Sequence, residues 1–137
     1  MSGPALGLQA GLRTLLLATS GVTDLVSARI YDEPPVGVNY PYLMFGNIVP
    51  QADDTDHTTG ASVSVNLLAF TRDTGRVTAT QIAEAVRTAL HRQQVALTVA
   101  NHSVIDLRVE SYFADRDDSE GRGHTASVIA TAVLQTA

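Results

Sequence analysis

Apolar and polar residues alternate along several stretches of the chain, with the period of two that is typical of strands half-buried in a sheet. Strands are predicted at 42–49, 63–69, 105–113 and 125–135, with shorter ones at 29–31 and 95–99. The same alternation predicts the side chains that line the core. In the two clearest alternating stretches these are Val63, Val65, Leu67, Ala69, Ile105, Leu107, Val109 and Phe113. In residues 125–135, Ile129 and Val133 alternate with small residues.

The first residues repeat their apolar side chains with helical spacing instead, which predicts a helix over residues 4–19. Pro4 suits a first helical turn, and Gly21 lies where a left-handed C-terminal stop is expected. Gly7 and Gly11 fall together on one face of this helix. Glycine destabilises a helix interior, so we expect a close backbone neighbour at these two positions, either from the sheet of the same subunit or from another subunit.

A second helix is predicted over residues 78–92, where apolar residues again recur three and four apart. Thr78 and Gln81 have the spacing of a capping box. Val77 and Ile82 fit the hydrophobic staple that accompanies such a box. The sequence therefore marks the start of this helix more clearly than that of the first.

Three polar or proline-rich segments separate these elements, at residues 32–41, 50–60 and 115–124. The predicted order is α-β-β-β-α-β-β-β. We interpret residues 1–137 as a single α+β domain, with an antiparallel-rich mixed sheet and two helices packed on one face.

Composition excludes several kinds of chemistry. The 137 residues are 45% hydrophobic and contain no Cys, and all nine basic residues are Arg. Disulfides, thiolate metal sites, a Cys nucleophile and every lysine-based mechanism are therefore excluded. The net charge of −5 argues against a protein that binds nucleic-acid phosphates. The apolar N-terminal stretch lacks a preceding positive charge, so we expect neither a signal peptide nor a membrane segment.

Candidate catalytic and metal sites are weak. His57 and His124 each lie near acidic residues, but no pair of histidines has the spacing of a metal site. The run from Asp115 begins like an EF-hand loop, yet its glycine, Gly121, comes one position late and Ala126 stands where a bidentate Glu is required. We expect solvated loops here, with no catalytic residue, no metal and no cofactor.

The order of the segments resembles a known family. These segments are PALGLQAGLRTLL, ARIYDEPP, YPYLMFG, SVSVNLLAFTRDTGR, QIAEAVRTALH and ALTVANHSVIDLRVES, followed by a last strand after DRDDSEGRGH. Together they are similar to the tail-completion proteins, or tail terminators, of long-tailed phages and gene transfer agents. The resemblance covers nearly the whole chain.

The resemblance implies a structural protein and not an enzyme. Such proteins assemble in the bacterial cytoplasm as a ring, usually a hexamer, at the head-proximal end of the tail tube in a virion or phage-like particle. The ring stops polymerisation of the tail tube protein and presents a surface to the head–tail connector or stopper protein. DNA passes through its channel, and six copies at −5 each carry about −30, which disfavours a grip on DNA phosphates.

The two long polar loops are the candidate axial contacts, because they are hard to explain as plain turns. With the two helix glycines as a candidate oligomer contact, the candidate residues are Asp53, Asp54, Asp56, His57, Arg116, Asp117, Asp118, Gly7 and Gly11. Three alternatives stay open. The nearest is a head-completion or neck-ring protein. The others are a small hydrolytic enzyme that uses His57 or His124, and a ligand- or peptide-binding module that adds a strand at a sheet edge.

Overall fold

A computed structural model describes residues 3–52, 60–72, 76–117 and 123–136 of the chain. Three helices and five strands follow one another in an order close to the predicted one. They are α1 (Pro4–Leu17), α2 (Ser20–Val26), β1 (Ile30–Tyr31), β2 (Tyr42–Ala52), β3 (Gly60–Thr71), α3 (Val77–Leu90), β4 (His102–Asp117) and β5 (Gly123–Thr136).

All five strands form one sheet in the order β1-β2-β3-β5-β4. β1 pairs with β2 in parallel, and every other neighbouring pair is antiparallel. The α+β fold class with a mixed, mostly antiparallel sheet is therefore confirmed. The number of helices is three and not two, because a short helix follows the first.

The N-terminal helix ends earlier than predicted. The chain bends after Leu17, and the hydroxyl of Thr19 donates a 2.8 Å hydrogen bond to the carbonyl of Leu15. A new helix, α2, then begins at Ser20, so the helix stop predicted at Gly21 is wrong. A positive φ, of 56°, occurs instead at Ser27, the residue that follows α2.

Helix α3 begins one residue before its predicted start and ends two residues before its predicted end, and its predicted N-terminal cap is wrong. The N-cap is Arg76, and it makes no side-chain capping hydrogen bond. Because the helix begins at Val77, Thr78 already has helical geometry, whereas an N-cap residue lies outside the helix. Val77 is exposed while Ile82 is buried, so the predicted hydrophobic staple is wrong as well.

Residues 95–99 do not form the predicted strand. The chain turns there, and Val99 makes only an isolated bridge to His102. Leu97 and Val99 are nevertheless buried in the core, whereas the side chain of Val95 is exposed. The alternation of this segment therefore reflects a turn packed on the core.

The helices pack on one face of the sheet, which is the face that carries the core. Along β3, every odd-numbered residue from Ala61 to Thr71 is buried, and every even-numbered one from Gly60 to Phe70 is half-buried. This confirms the prediction for residues 63–69. The other side of the sheet is called here the helix-free face.

The buried set predicted for β4 is half right. Leu107 and Val109 are buried, whereas Ile105 and Phe113 are 52% and 49% exposed. Two bulges, one on either side of the segment 106–109, each insert one residue into β4 relative to β5. A bulge reverses which side chains face the helices, so simple alternation fails on both sides of the segment.

The two large apolar residues singled out in the sequence of β5 are not the ones that face the core. Val128, Ala130 and Ala132 face the core, while Ile129 and Val133 are half-buried on the helix-free face. β5 lies between β3 and β4 and carries apolar side chains on both faces. A strand of this kind has no polar face from which its orientation can be predicted.

Candidate assembly surfaces

The outer side of β2 is paired over only a short part of its length. β1 contacts Leu43 and Met44, and the backbone N–H of Leu43 donates to the carbonyl of Arg29 at 2.9 Å. Beyond this point, no backbone hydrogen bond within the described part of the chain reaches residues 45–52 from the outer side. We call these residues the β2 outer edge.

The outer side of β4 is divided in the same way. The backbone N–H of Arg92 donates to the carbonyl of Leu107 at 2.9 Å, and the N–H of Val109 donates to Nδ1 of His91 at 3.1 Å. The end of α3 thus covers the first half of this strand. Across the described ranges, residues 110–117 have no backbone partner on that side, and we call them the β4 outer edge.

Exposed apolar side chains lie on both outer edges. Val49 belongs to the β2 outer edge and is 49% exposed, and Tyr112 and Phe113 are exposed on the β4 outer edge. An exposed edge that carries large apolar residues is a template for pairing with another chain. The sequence does not predict these edges, because the strand order that creates them is a property of the fold.

A charged cluster holds the covered half of β4. Asp106 lies 3.0 Å from Arg92 and 2.8 Å from Arg108, measured between carboxylate oxygen and guanidinium nitrogen. Burial acts to raise the pKa of Asp106. The hydrogen bond and charge of Arg108, together with the charge of Arg92, outweigh burial and hold the pKa below its ordinary value. The cluster therefore ties the end of α3 to β4.

An aromatic cluster lies at the end of the sheet where β2 begins. The rings of Tyr42 and Phe70 stack at 5.1 Å between centroids, and Tyr40 lies 5.2 Å from Tyr42. The guanidinium of Arg72 lies 4.5 Å from the centre of the Tyr40 ring, in a cation–π arrangement. The sequence contains these aromatic residues in separate segments, and only the β2–β3 pairing brings them together.

The two candidate glycines of α1 lie against their own chain. A Cβ atom at Gly7 would come 3.0 Å from Cγ1 of Val99, and one at Gly11 would overlap the carbonyl oxygen of Thr98. The close neighbour predicted from the sequence is thus the turn at residues 97–100, and it belongs to the same subunit. A contact of these glycines with another subunit stays a prediction.

The other candidate residues lie partly outside the described ranges. Asp53, Asp54, Asp56, His57 and Asp118 are not among the residues that the structure describes. Arg116 and Asp117 are placed by their backbone at the end of β4, so the strand extends into the predicted loop.

The two predicted loops nevertheless attach at opposite ends of the sheet. Ala52 pairs with Ala61, and β3 begins beside it at Gly60. Asp117 pairs with Gly123 at the other end, next to the pair of Thr71 and His124. Ala52 and Asp117, the last described residues before the two predicted loops, therefore lie at opposite ends of the sheet.

No group of three His, Asp or Glu side chains in residues 3–52, 60–72, 76–117 and 123–136 is arranged to hold a metal ion. None of the helices in these ranges has both the length and the apolar character needed to cross a membrane.

Comparison with known proteins gives a family. The model of the family described as Tail completion protein gp17 matches residues 10–135, which is most of the chain. No curated protein matches. Among solved structures, a chain of the "Virion of native gene transfer agent (GTA) particle" has a TM-score of 0.86 and 23% sequence identity, over 98% of this chain and 99% of that one. The two chains share a fold. This protein belongs to the Tail completion protein gp17 family and is a structural component of the tail of a phage or phage-like particle.

Proposed function

We propose that this protein forms a ring at the head-proximal end of the tail tube, where it ends polymerisation of the tube protein and provides the joint to the head-side connector. The observation that carries the proposal is that Ala52 and Asp117, from which the two predicted polar loops continue, lie at opposite ends of one sheet in a member of a tail-completion family. A ring placed between two different partners needs one contact surface on each side.

The mechanism is geometric. One side of the ring presents the contacts that the last ring of the tube expects, and the opposite side lacks a surface on which another tube ring can form. The family resemblance supplies the expected copy number, six. The role requires no catalytic group and no cofactor.

DNA is expected to pass through the ring without specific binding. Each copy carries a net charge of −5, and a ring of such copies repels the phosphates of DNA in its channel. A protein that neutralised phosphates would instead slow the exit of DNA.

Removal of the loop at residues 53–58 tests the proposal. The deletion starts directly after Ala52, where β2 ends, and stops before β3 begins at Gly60. We expect a variant that folds, shown by an unchanged circular dichroism spectrum, but that no longer ends tail tubes. A matched control keeps the loop length and changes Asp53, Asp54 and Asp56 to Asn, which separates the presence of the loop from its charge.

Tail length and head attachment, measured by negative-stain microscopy, decide the outcome. Over-long tails without heads from the deletion variant support the proposal. Tails of normal length joined to heads contradict the assignment of this loop. Heads that leak DNA beside unattached tails of normal length would favour a head-completion protein instead.

A further inference from the structure

We propose that neighbouring subunits of the ring join their sheets edge to edge, with the β4 outer edge of one subunit paired antiparallel to the β2 outer edge of the next. The inference rests on the proposed ring. The two edges lie on opposite sides of the same sheet, and β2 and β4 run in opposite directions. Two different edges used head to tail make a heterologous interface, which closes into a ring when its rotation permits.

The covered parts of the two strands fit this arrangement. We place Phe113 of one subunit opposite Val49 of the next. Asp117, the last residue of β4, then lies opposite Phe45 of the neighbouring subunit. β4 therefore ends just before Leu43 and Met44 of that subunit, which already pair with β1. The half of β4 that α3 covers runs past the end of the neighbouring β2. Neither β1 nor the end of α3 has to move.

The backbone of β4 presents its hydrogen-bonding groups at the required positions. The carbonyl of Leu107 and the N–H of Val109 point outward, since they bond to the end of α3. The bulge that follows Val109 shifts the alternation by one residue. Tyr112 and Ala114 consequently direct their backbone groups outward along the β4 outer edge.

The backbone of β2 follows the same rule. The N–H of Leu43 points outward to β1, and a bulge between Phe45 and Ile48 again shifts the alternation. Ile48 and Pro50 therefore direct their backbone groups outward, opposite Ala114 and Tyr112 of the neighbour. The missing N–H of Pro50 lies on the outer side, so it costs no hydrogen bond to β3. In the pairing, Tyr112 and Pro50 consequently share one backbone hydrogen bond and not two, from the N–H of Tyr112 to the carbonyl of Pro50.

Side chains match in the same register. Val49 and Phe113 are each 49% exposed on the helix-free face, and in the pairing they cover one another. The next pairs on this face place Ser111 opposite Gln51 and Asp115 opposite Asn47, so polar residues meet polar residues and no like charges are opposed. If β4 were shifted by two residues along the neighbouring β2 in one direction, Phe113 would lie opposite the polar Gln51. If it were shifted by two residues in the other direction, Asp117 would lie opposite Leu43, where β1 already pairs with β2.

The register also fits the geometry of a closed sheet. Within one subunit, Ser127 of β5 pairs with both Phe113 of β4 and Leu68 of β3, so Phe113 and Leu68 lie at the same height on the sheet. Val49 of β2 pairs instead with Ser64 of β3. Along the strand direction, each subunit is therefore offset from the next by four residues, from Leu68 to Ser64, which is about 13 Å. Across the strand direction, the four strands β2, β3, β5 and β4 together are about 19 Å wide. This offset corresponds to a strand tilt of about 35°, which lies in the range of closed barrels, about 35–45°.

Disulfide cross-linking tests the pairing, because the chain has no cysteine of its own. The double variant V49C/F113C places its thiols at a non-hydrogen-bonded pair, where Cα atoms lie about 4.5 Å apart, a distance that a disulfide spans. Within one subunit the two positions lie on opposite edges of the sheet. V49C/I105C is the matched control, since Ile105 is equally exposed on β4 but belongs to its covered half.

Particles assembled from each variant are oxidised and run on a non-reducing gel. We expect a ladder of covalent oligomers from V49C/F113C and monomer from V49C/I105C. If V49C/F113C does not fold, I48C/A114C tests the same register. Monomer from the paired variants in particles with normal tails would overturn the edge pairing and leave the proposed function standing. A ladder from V49C/F113C, combined with tails of normal length joined to heads in separate particles produced without the gene, would support the pairing and contradict the proposed function.

Discussion

The backbone N–H of Val109 donates a hydrogen bond to Nδ1 of His91, at 3.1 Å. This bond joins the residue that follows α3 to the outer side of β4. Because the alternation of β4 shifts directly after Val109, the bond also marks the point at which the covered half of the strand ends and the β4 outer edge begins. A helix end thus determines how much of the strand is available to a neighbour.

Replacement of His91 tests this role. His91→Ala removes the acceptor and leaves a partly buried N–H without a partner, at a cost of about 1–2 kcal/mol in the free energy of unfolding. His91→Asn offers a side-chain oxygen to the same N–H and is expected to lose less. Chemical denaturation of both variants checks the order. Equal stability of His91→Ala and the parent chain would show that the bond contributes nothing.

The glycines of α1 and α2 predict substitutions of opposite sign. Gly11→Ala places a methyl group against the carbonyl of Thr98 and is expected to lower the free energy of unfolding by about 1–3 kcal/mol. Gly21→Ala has open space around it in α2 and is expected to raise stability by as much as about 1 kcal/mol. Thermal melts of the two variants suffice. A stabilised Gly11→Ala would contradict the close packing of residues 97–100.

The charged cluster of Asp106 predicts a dependence on pH. The pKa of Asp106 is lowered in the folded chain, so its ionised form stabilises the fold at neutral pH, and this contribution is lost as pH falls through the folded pKa. Asp106→Asn is expected to cost less than about 1 kcal/mol at pH 7, because Arg92 and Arg108 are largely exposed. The difference between variant and parent should shrink as the pH approaches 2. A difference that stays constant with pH would exclude the ion pairs as its cause.

A lysine on the β2 outer edge is predicted to block assembly without loss of stability. Val49→Lys adds a charge to an exposed edge position, which natural proteins use to prevent pairing between sheets. Leu6→Lys is the control, since Leu6 is exposed on α1 and belongs to neither edge strand. Light scattering should show assembly of the control alone, with unfolding free energies within about 0.5 kcal/mol of the parent. Normal assembly of Val49→Lys would argue against use of this edge.

Sequence patterns predicted the long helices and strands better than the short helix α2 and the bulges. The apolar residues of α3 repeat over almost four turns, and those of β3 alternate strictly, so local spacing determines both. Helix α2 has seven residues, including a glycine and a threonine, which is too short for such a signal. The bulges of β4 could not be predicted for a different reason. A bulge is a change in pairing with β5 that leaves no mark in the amino-acid pattern of β4, but it reverses which side chains face the core.

The assembly surfaces depended on information that the sequence does not carry locally. Polarity and length predicted the two loops, and the structure adds that Ala52 and Asp117, which precede them, lie at opposite ends of the sheet. The outer edges of β2 and β4 arise from the strand order β1-β2-β3-β5-β4 and from the short reach of β1 and the end of α3. No periodicity reveals which strand ends at an edge.

The central claim is that this protein ends the tail tube through its shape as a subunit of a ring. Negative-stain microscopy of particles produced without its gene measures this most directly, because tail length reports termination and head attachment reports the joint. We predict tails well beyond the normal length and without heads. Tails of normal length, joined to heads or lying beside heads that have lost their DNA, would contradict the claim.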